Sequence, residues 1–159
     1  MAGYRLSTIW CVDAPVSEVW DAIHDARRWP EWWKNVERVS ELQSGADDGL
    51  GAVHRYIWRG VLPYRVIVDM RVTRVEPMSA LEGEASGALE GTGRWSFSAN
   101  GRGTVVRYDW HVRTTTRWMN LLAPLARPVF RWNHDSIMRE GGRGLARHLH
   151  ARLTRIEQS

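Results

Sequence analysis

Between Gly51 and Thr116 apolar and polar residues alternate with a period of two through several successive segments. Successive side chains of a strand point to opposite faces, so this alternation marks antiparallel strands with one face buried and the other in water. In "HRYIWRG", His54, Tyr56 and Trp58 share one parity and Arg55 and Arg59 the other. "YRVIVDMRV" collects Tyr64, Val66, Val68, Met70 and Val72 on one face and sets Arg65, Asp69 and Arg71 opposite. "TVVRYDWHVRT" repeats the arrangement, with Val106, Tyr108, Trp110 and Val112 against Arg107, Asp109, His111 and Arg113. The charged parity alternates in sign, which suits a wet outer face where cross-strand pairs contribute up to about 1 kcal/mol each. Arg65, Arg71, Arg107 and Arg113 are therefore expected to face solvent.

One segment departs from this pattern. "LEGEASGAL" reads as a further strand whose inward residues are Leu81, Gly83, Ala85, Gly87 and Leu89. A buried face of glycine and alanine leaves volume for a neighbouring backbone, a bulky facing side chain or a ligand. A cavity floored by Gly87 is the expectation, and a bulky residue at Gly87 or Ala85 should then enter empty space at little cost in stability.

Upstream, "YRLSTIWCV" reads as a first strand. "DAPVSEVWDAIHD" follows as a helix, with Pro15 in its first turn, Glu18 near the positive end of the dipole, and Val16, Val19, Trp20 and Ile23 on one face. Pro30 is expected to open a second short helix carrying Trp32, Trp33 and Val36, which puts the tryptophans of "RRWPEWWKNV" at a helix-helix corner. After the strands, the chain reads as helical in the second half of its tail. There Phe130, His134, Ile137, Met138, Gly141, Leu145, Leu149 and Ile156 fall near one stripe, and Pro124 and Pro128 should break the first half. Gly141, Gly142 and Gly144 each cost a helix about 1 kcal/mol relative to alanine. Their presence predicts a close approach to the sheet or room for a guest.

A length of 159 residues, 43% hydrophobic and 25% charged, fits one ordinary domain, residues 1–159, with a real core. Ten tryptophans are the side chains with the largest area to bury, and they suit a lined cavity. The lone Cys11 excludes an internal disulfide or a thiolate-rich zinc site. His148 and His150 of "HLH" lie about 200° apart on a helix and cannot chelate one ion, so no metal is expected. Neither a phosphate-binding glycine loop nor a nucleophile elbow is present, and no cofactor is expected. The amino-terminal stretch lacks the apolar segment of a signal peptide, and no window approaches 18 apolar residues, which makes the cytoplasm the expected location.

The net charge of +4 and isoelectric point near 9.8 come mostly from basic residues interleaved with acids, so nucleic acid is not an expected partner. Only between Arg117 and Arg155 do arginines far outnumber the acids Asp135 and Glu140, and Arg139, Arg143 and Arg147 repeat every four residues. That segment suits a transient contact with an anionic membrane surface. The competing and preferred expectation is that Leu121, Leu122, Leu125 and Phe130 pack as a lid on the sheet edge. Oligomeric state is not legible in the pattern.

The order of "DAPVSEVWDAIHD", "RRWPEWWKNV", the alternating strands, "GTGRWSFSANGRGTVVRYDW" and "NHDSIMREGGRGLARHL" resembles the START-like, Bet v 1-like (SRPBCC) superfamily over nearly the whole chain, in particular its polyketide cyclase/dehydrase and lipid-transport branch. The resemblance implies an α+β helix-grip fold. In it a curved antiparallel sheet wraps a long C-terminal α-helix, two short helices close one end, and a hydrophobic cavity lies between. Trp29, Trp32 and Trp33 would close one end of that cavity. The implied function is binding or transport of a hydrophobic small molecule such as a lipid, an isoprenoid quinone or a polyketide. The alternative is a polyketide aromatase/cyclase or dehydratase acting in the same cavity. One fold hosts both, so the site has to decide.

With the inward parity facing such a cavity, the expected ligand-binding residues begin with Trp33 and, on the first strands of the series, His54, Tyr56, Trp58, Tyr64, Val66, Val68 and Met70. Ala85, Gly87, Trp95, Phe97, Tyr108 and Trp110 continue the wall, and His134, Met138 and Gly141 cover it from the helix. Enolisation and dehydration require a donor near a carbonyl and a base near the adjacent carbon. His134, Tyr56 and Tyr108 are the catalytic candidates, with no carboxylate of clean inward parity. Each of the three can equally be a wall residue whose polar tip bonds backbone or water.

Overall fold

The computed structural model describes residues 3–115, 117, 121 and 123–159, and among these eight strands pair into an antiparallel sheet. In chain order they are β1 (Gly3–Val12), β2 (Val36–Gln43), β3 (Val53–Arg59), β4 (Arg65–Glu76), β5 (Ala80–Gly87), β6 (Leu89–Asn100), β7 (Gly103–Thr114) and β8 (Leu153–Gln158). Their spatial order is β2-β3-β4-β5-β6-β7-β1-β8, so the chain meanders from β2 to β7 and then pairs its two ends on the far side. Helix α1 (Val16–His24) and a 3-10 helix (Ala26–Glu31) link β1 to β2, and the long helix α2 (Ala123–His148) leads into β8. Register shifts at Val36/Arg38, Glu41/Gln43 and Val72/Arg74 insert extra residues into the pairing. Such bulges bend strands and increase twist, and the sheet curves round α2 as a helix-grip fold requires.

The alternation turns directly into burial. Tyr4, Leu6, Thr8, Trp10 and Val12 of β1 are buried on one parity, as are Val106, Trp110 and Val112 of β7. On the other parity Arg65, Arg107 and Arg113 are more than half exposed and Arg71 is exposed. Carboxylates face most of them, as in Arg65–Glu37 at 2.5 Å, Arg113–Glu90 at 3.1 Å and, on β3, Arg55–Asp69 at 2.8 Å.

Tryptophans fasten α2 to the sheet and to the corner before β2. The Trp10 indole donates to the Met138 carbonyl at 3.1 Å and the Trp33 indole to the Ile137 carbonyl at 2.9 Å. The helix glycines make room for this. A Cβ at Gly141 would lie 2.4 Å from the Trp33 ring, one at Gly142 3.0 Å from Trp10, and one at Gly144 1.8 Å from the Trp32 carbonyl oxygen.

Several elements differ from the expectation. Pro30 lies near the end of the 3-10 helix instead of opening a helix, and Trp32 and Trp33 follow that helix while Val36 starts β2. The backbone N–H groups of Trp32 and Trp33 both return to the Trp29 carbonyl, at 3.0 and 2.7 Å, and this tight turn packs the three indoles on one another, with Trp32 stacked on Trp33 at 5.5 Å and Trp29 tilted against both. Residues 81–89 are not one strand, because Gly87 adopts φ +102° and the chain reverses there into β6. Pro124 and Pro128 both lie within α2, so neither ends the helix as expected.

The tail departs furthest. Helix α2 stops at His148, and Leu149 and Ile156 are not part of its stripe. His150 takes φ +52°, and the N–H groups of His150 and Ala151 donate to the carbonyls of Arg147 and Ala146. This is a Schellman stop with histidine in place of the usual glycine. Ile156 then pairs with Trp10 in β8, and His150 lies off the helix, so the angular argument about "HLH" does not apply. The lid also fails: Leu121 and Leu125 are 83% and 78% exposed, and Leu122 lies outside the described residues. Among the described members of that group only Phe130 packs inward, stacked on Tyr4 with ring centroids 4.0 Å apart. Among the described residues no helix is long and apolar enough to cross a membrane.

Candidate functional site

Between the sheet and α2 lies a cavity of about 350 Å³, within the roughly 300–1,000 Å³ of small-molecule sites. Strand parity builds its wall. β3 supplies His54, Tyr56 and Trp58, β4 supplies Val66, Val68 and Met70, and β6 and β7 supply Trp95, Tyr108 and Trp110. The corner before β2 adds Trp33, and α2 covers the space with His134 and Met138. Rings pack edge to face and tilted around it, with Trp95–Tyr108 centroids 4.3 Å apart, Trp33–Trp58 5.1 Å and Trp29–Tyr56 5.3 Å.

Five expected residues lie off this wall. Gly87 is an exposed turn glycine whose carbonyl accepts the Thr115 hydroxyl at 2.7 Å, so it floors nothing. Ala85 is buried in a cluster with the wall residues Val68, Leu89 and Trp110 but does not itself line the cavity. Phe97 packs against Trp20 with centroids 5.1 Å apart, Gly141 is filled by Trp33, and Tyr64 sits outside the lining.

The glycine signal belongs instead to Gly83 and Gly93, which are direct cross-strand partners and both line the cavity. The Tyr108 hydroxyl lies over Gly93, where a Cβ would come within 2.4 Å of it. Gly93 thus makes room for the phenol, while at Gly83 the end of the Met70 side chain lies nearest. Trp29 lines the space at the corner where it was expected, and Ile137, Phe130 and Asn133 line it without having been expected as site residues. Inward parity contained Gly83, but the pairing that puts Gly93 opposite it needs the hairpin at Gly87.

The polar groups on the wall are few and mostly neutral. Burial pushes the Tyr56 and Tyr108 hydroxyls well above the usual phenol range, so both remain protonated donors at any physiological pH. His134 is the outlier: both ring nitrogens are buried without a hydrogen-bond partner, and Nδ1 comes only to 3.5 Å from Asp135 Oδ1. Leaving a buried polar group unsatisfied costs about 1–3 kcal/mol. A ligand oxygen in the cavity would remove that cost.

At the other end the rim is charged. His54 Nε2 lies 3.8 Å from Glu41 Oε1, and Glu41 Oε2 lies 3.6 Å from Arg27 Nη1. His24 Nε2 meets the Asp48 carbonyl at 2.6 Å, which ties α1 to the loop between β2 and β3. Among the described residues no three His, Cys, Asp or Glu side chains are placed to hold a metal ion.

Burial lowers the His54 pKa below its ordinary value of 6.5, with Glu41 opposing. A lowered folded-state pKa means the unfolded chain binds the proton more readily. The stability tied to neutral His54 is therefore present above about pH 6.5 and lost as pH falls below it. Melting curves at pH 7 and pH 5 should show a larger fall for the parent than for His54→Gln. Equal falls would contradict this assignment.

The family described as polyketide cyclase / dehydrase and lipid transport matches residues 10–153. No curated protein matches the sequence. Solved structures do: the Zhui aromatase/cyclase from Streptomyces sp. R1128 superposes with a TM-score of 0.74 at 13% identity, over 94% of each chain. A START superfamily protein from Mycobacterium smegmatis gives 0.74 at 13% identity, over 92% of this chain and 98% of that one. The di-domain ARO/CYC BexL of the BE-7585A biosynthetic pathway gives 0.74 at 21% identity, over 94% of this chain and 51% of that one. At these identities the likeness is one of fold.

Proposed function

Because the chain belongs to the polyketide cyclase/dehydrase and lipid-transport family, we propose that residues 1–159 act as one unit that binds and carries a hydrophobic small molecule between the sheet and α2. One observation carries this reading: an aromatic-walled cavity holds an imidazole, His134, whose two buried nitrogens make no hydrogen bond in the protein. A neutral ligand with an apolar body and at least one oxygen complements that wall. An isoprenoid quinone, a polyketide or a lipid of that kind would place the oxygen against His134 or the Tyr56 and Tyr108 hydroxyls. A thermal-shift screen of such compounds should find ones that raise the melting temperature, since a ligand that binds only the folded state stabilises it by mass action.

A second reading is favoured by two phenols held as donors in the same cavity as an imidazole, the groups a cyclase or dehydratase needs. Tyr108→Phe, Tyr56→Phe and His134→Ala separate the two. For a carrier, affinity should stay within a few-fold in the two phenylalanine variants and fall by about tenfold in His134→Ala, which removes the partner of the ligand oxygen. For an enzyme acting on a polyketide-like substrate, turnover should fall by about 100-fold or more in at least one of them.

A further inference from the structure

The exposed side of α2, together with the helical residue Leu121 ahead of it, carries an apolar stripe that the cavity does not use. Leu121, Leu125 and Trp132 are 83%, 78% and 54% exposed, and Val129 is exposed beside them. They recur at i, i+4, i+8 and i+11, which keeps them within about 80° of one helix face. Phe130 and Ile137, which line the cavity, lie on the opposite face. Across from this part of the helix, Val61 on the β3–β4 turn is also exposed, and its N–H donates to Asn133 Oδ1 at 2.9 Å. The apolar surface thus borders the end of the cavity formed by Phe130 and Asn133. A contiguous apolar face on a folded protein marks a docking surface.

The charges around it indicate what docks. Residues 117–134 contain Arg117, Arg127 and Arg131 and no Asp or Glu. Arg117 and Arg131 are exposed, and among the described residues neither makes an ion pair, unlike the outward arginines at 55, 65, 107 and 113 of the sheet. Arg127 donates to the Gly3 carbonyl at 2.9 Å and lies over the Tyr4 ring, which fixes this part of the helix to β1. A second copy would bring arginine against arginine at this face. An anionic bilayer instead takes leucines and a tryptophan into its interface and pairs its phosphates and carboxylates with the flanking guanidinium groups. We propose that the N-terminal half of α2 docks the protein on an anionic phospholipid bilayer, with the Phe130 end of the cavity next to the lipid. The docking depends on surface residues alone and stands apart from what the cavity holds.

Co-sedimentation with vesicles of phosphatidylcholine, with and without about one-third phosphatidylserine, tests this. The protein should sediment with the serine-containing vesicles, less with phosphatidylcholine alone, and less as salt rises. Leu121→Glu with Leu125→Glu should weaken the association by about tenfold or more at an unchanged melting temperature. Arg117→Gln with Arg131→Gln should weaken it too and flatten the salt dependence, and it serves as the second test if the glutamate pair disturbs folding. The proposal is overturned if the parent does not sediment with serine-containing vesicles at low salt, or if both double variants sediment as the parent does. It is also overturned if light scattering shows a dimer that the glutamates dissociate, for then the face belongs to a second copy.

Discussion

Gly144→Ala is expected to lower the melting temperature by about 10 °C, a loss of roughly 3 kcal/mol in a domain of this size. Elsewhere in a helix interior the same change stabilises by about 1 kcal/mol, so the sign itself is informative. The added methyl would sit 1.8 Å from the Trp32 carbonyl oxygen, a backbone atom that cannot rotate away. Its neighbours cannot yield easily either. Trp33 is held to α2 through the Ile137 carbonyl, and Trp29 is held through the Ile23 carbonyl at 3.0 Å. The helix would have to lift off the corner, uncovering Trp33 and Leu145, which are 1% and 0% exposed. Gly141→Ala should follow the same direction, because its methyl meets the Trp33 ring at 2.4 Å. Thermal melts of the two variants check this, and a gain in stability in either would contradict the packing of α2 on the tryptophan corner.

Gly83→Leu is expected to abolish ligand binding while leaving the fold largely intact. Gly83 is buried on the cavity wall, and a Cβ there would first meet the end of the Met70 side chain at 3.0 Å and the Arg71 carbonyl at 3.1 Å. Met70 is flexible and can turn aside, but the Arg71 carbonyl is backbone and has to give by a few tenths of an ångström, so the cost should fall within the usual range of overpacking, about 1–3 kcal/mol. The isobutyl group then occupies cavity volume. Any compound that stabilises the parent should lose its thermal shift in the variant, with affinity down by about 100-fold or more. At Gly87, by contrast, φ is +102° and the Ile67 carbonyl lies 3.2 Å from a Cβ, so a bulky residue there strains the turn without reaching the ligand.

The contrast between Gly83 and Gly87 shows what the sequence could and could not convey. Period-two parity placed His54, Tyr56, Trp58, Val66, Val68, Met70, Tyr108 and Trp110 on the inner face because facing a side is a local property of a strand. Which glycines oppose each other depends on register, and register depends on the turn. Reading 81–89 as one strand carried the parity past the reversal at Gly87 and so missed Gly93 across from Gly83. The tail failed for a related reason. Val12 pairs with Leu153 and Cys11 with Arg155, so Thr154 is an extra residue that lets Leu153 and Ile156, three apart, both turn inward. That spacing imitates a helix. At "RRWPEWWKNV" composition announced buried aromatic surface, but only the three-dimensional packing shows Trp29 and Trp33 on the cavity and Trp32 turned towards His148.

Native mass spectrometry of the protein purified from its own host tests the central claim most directly. The account predicts a 1:1 species carrying one neutral hydrophobic molecule, released on activation and missing from Gly83→Leu. A bare chain mass from the parent, together with no stabilisation by any apolar, oxygen-bearing compound in a thermal-shift screen, would contradict the claim that the cavity holds a ligand.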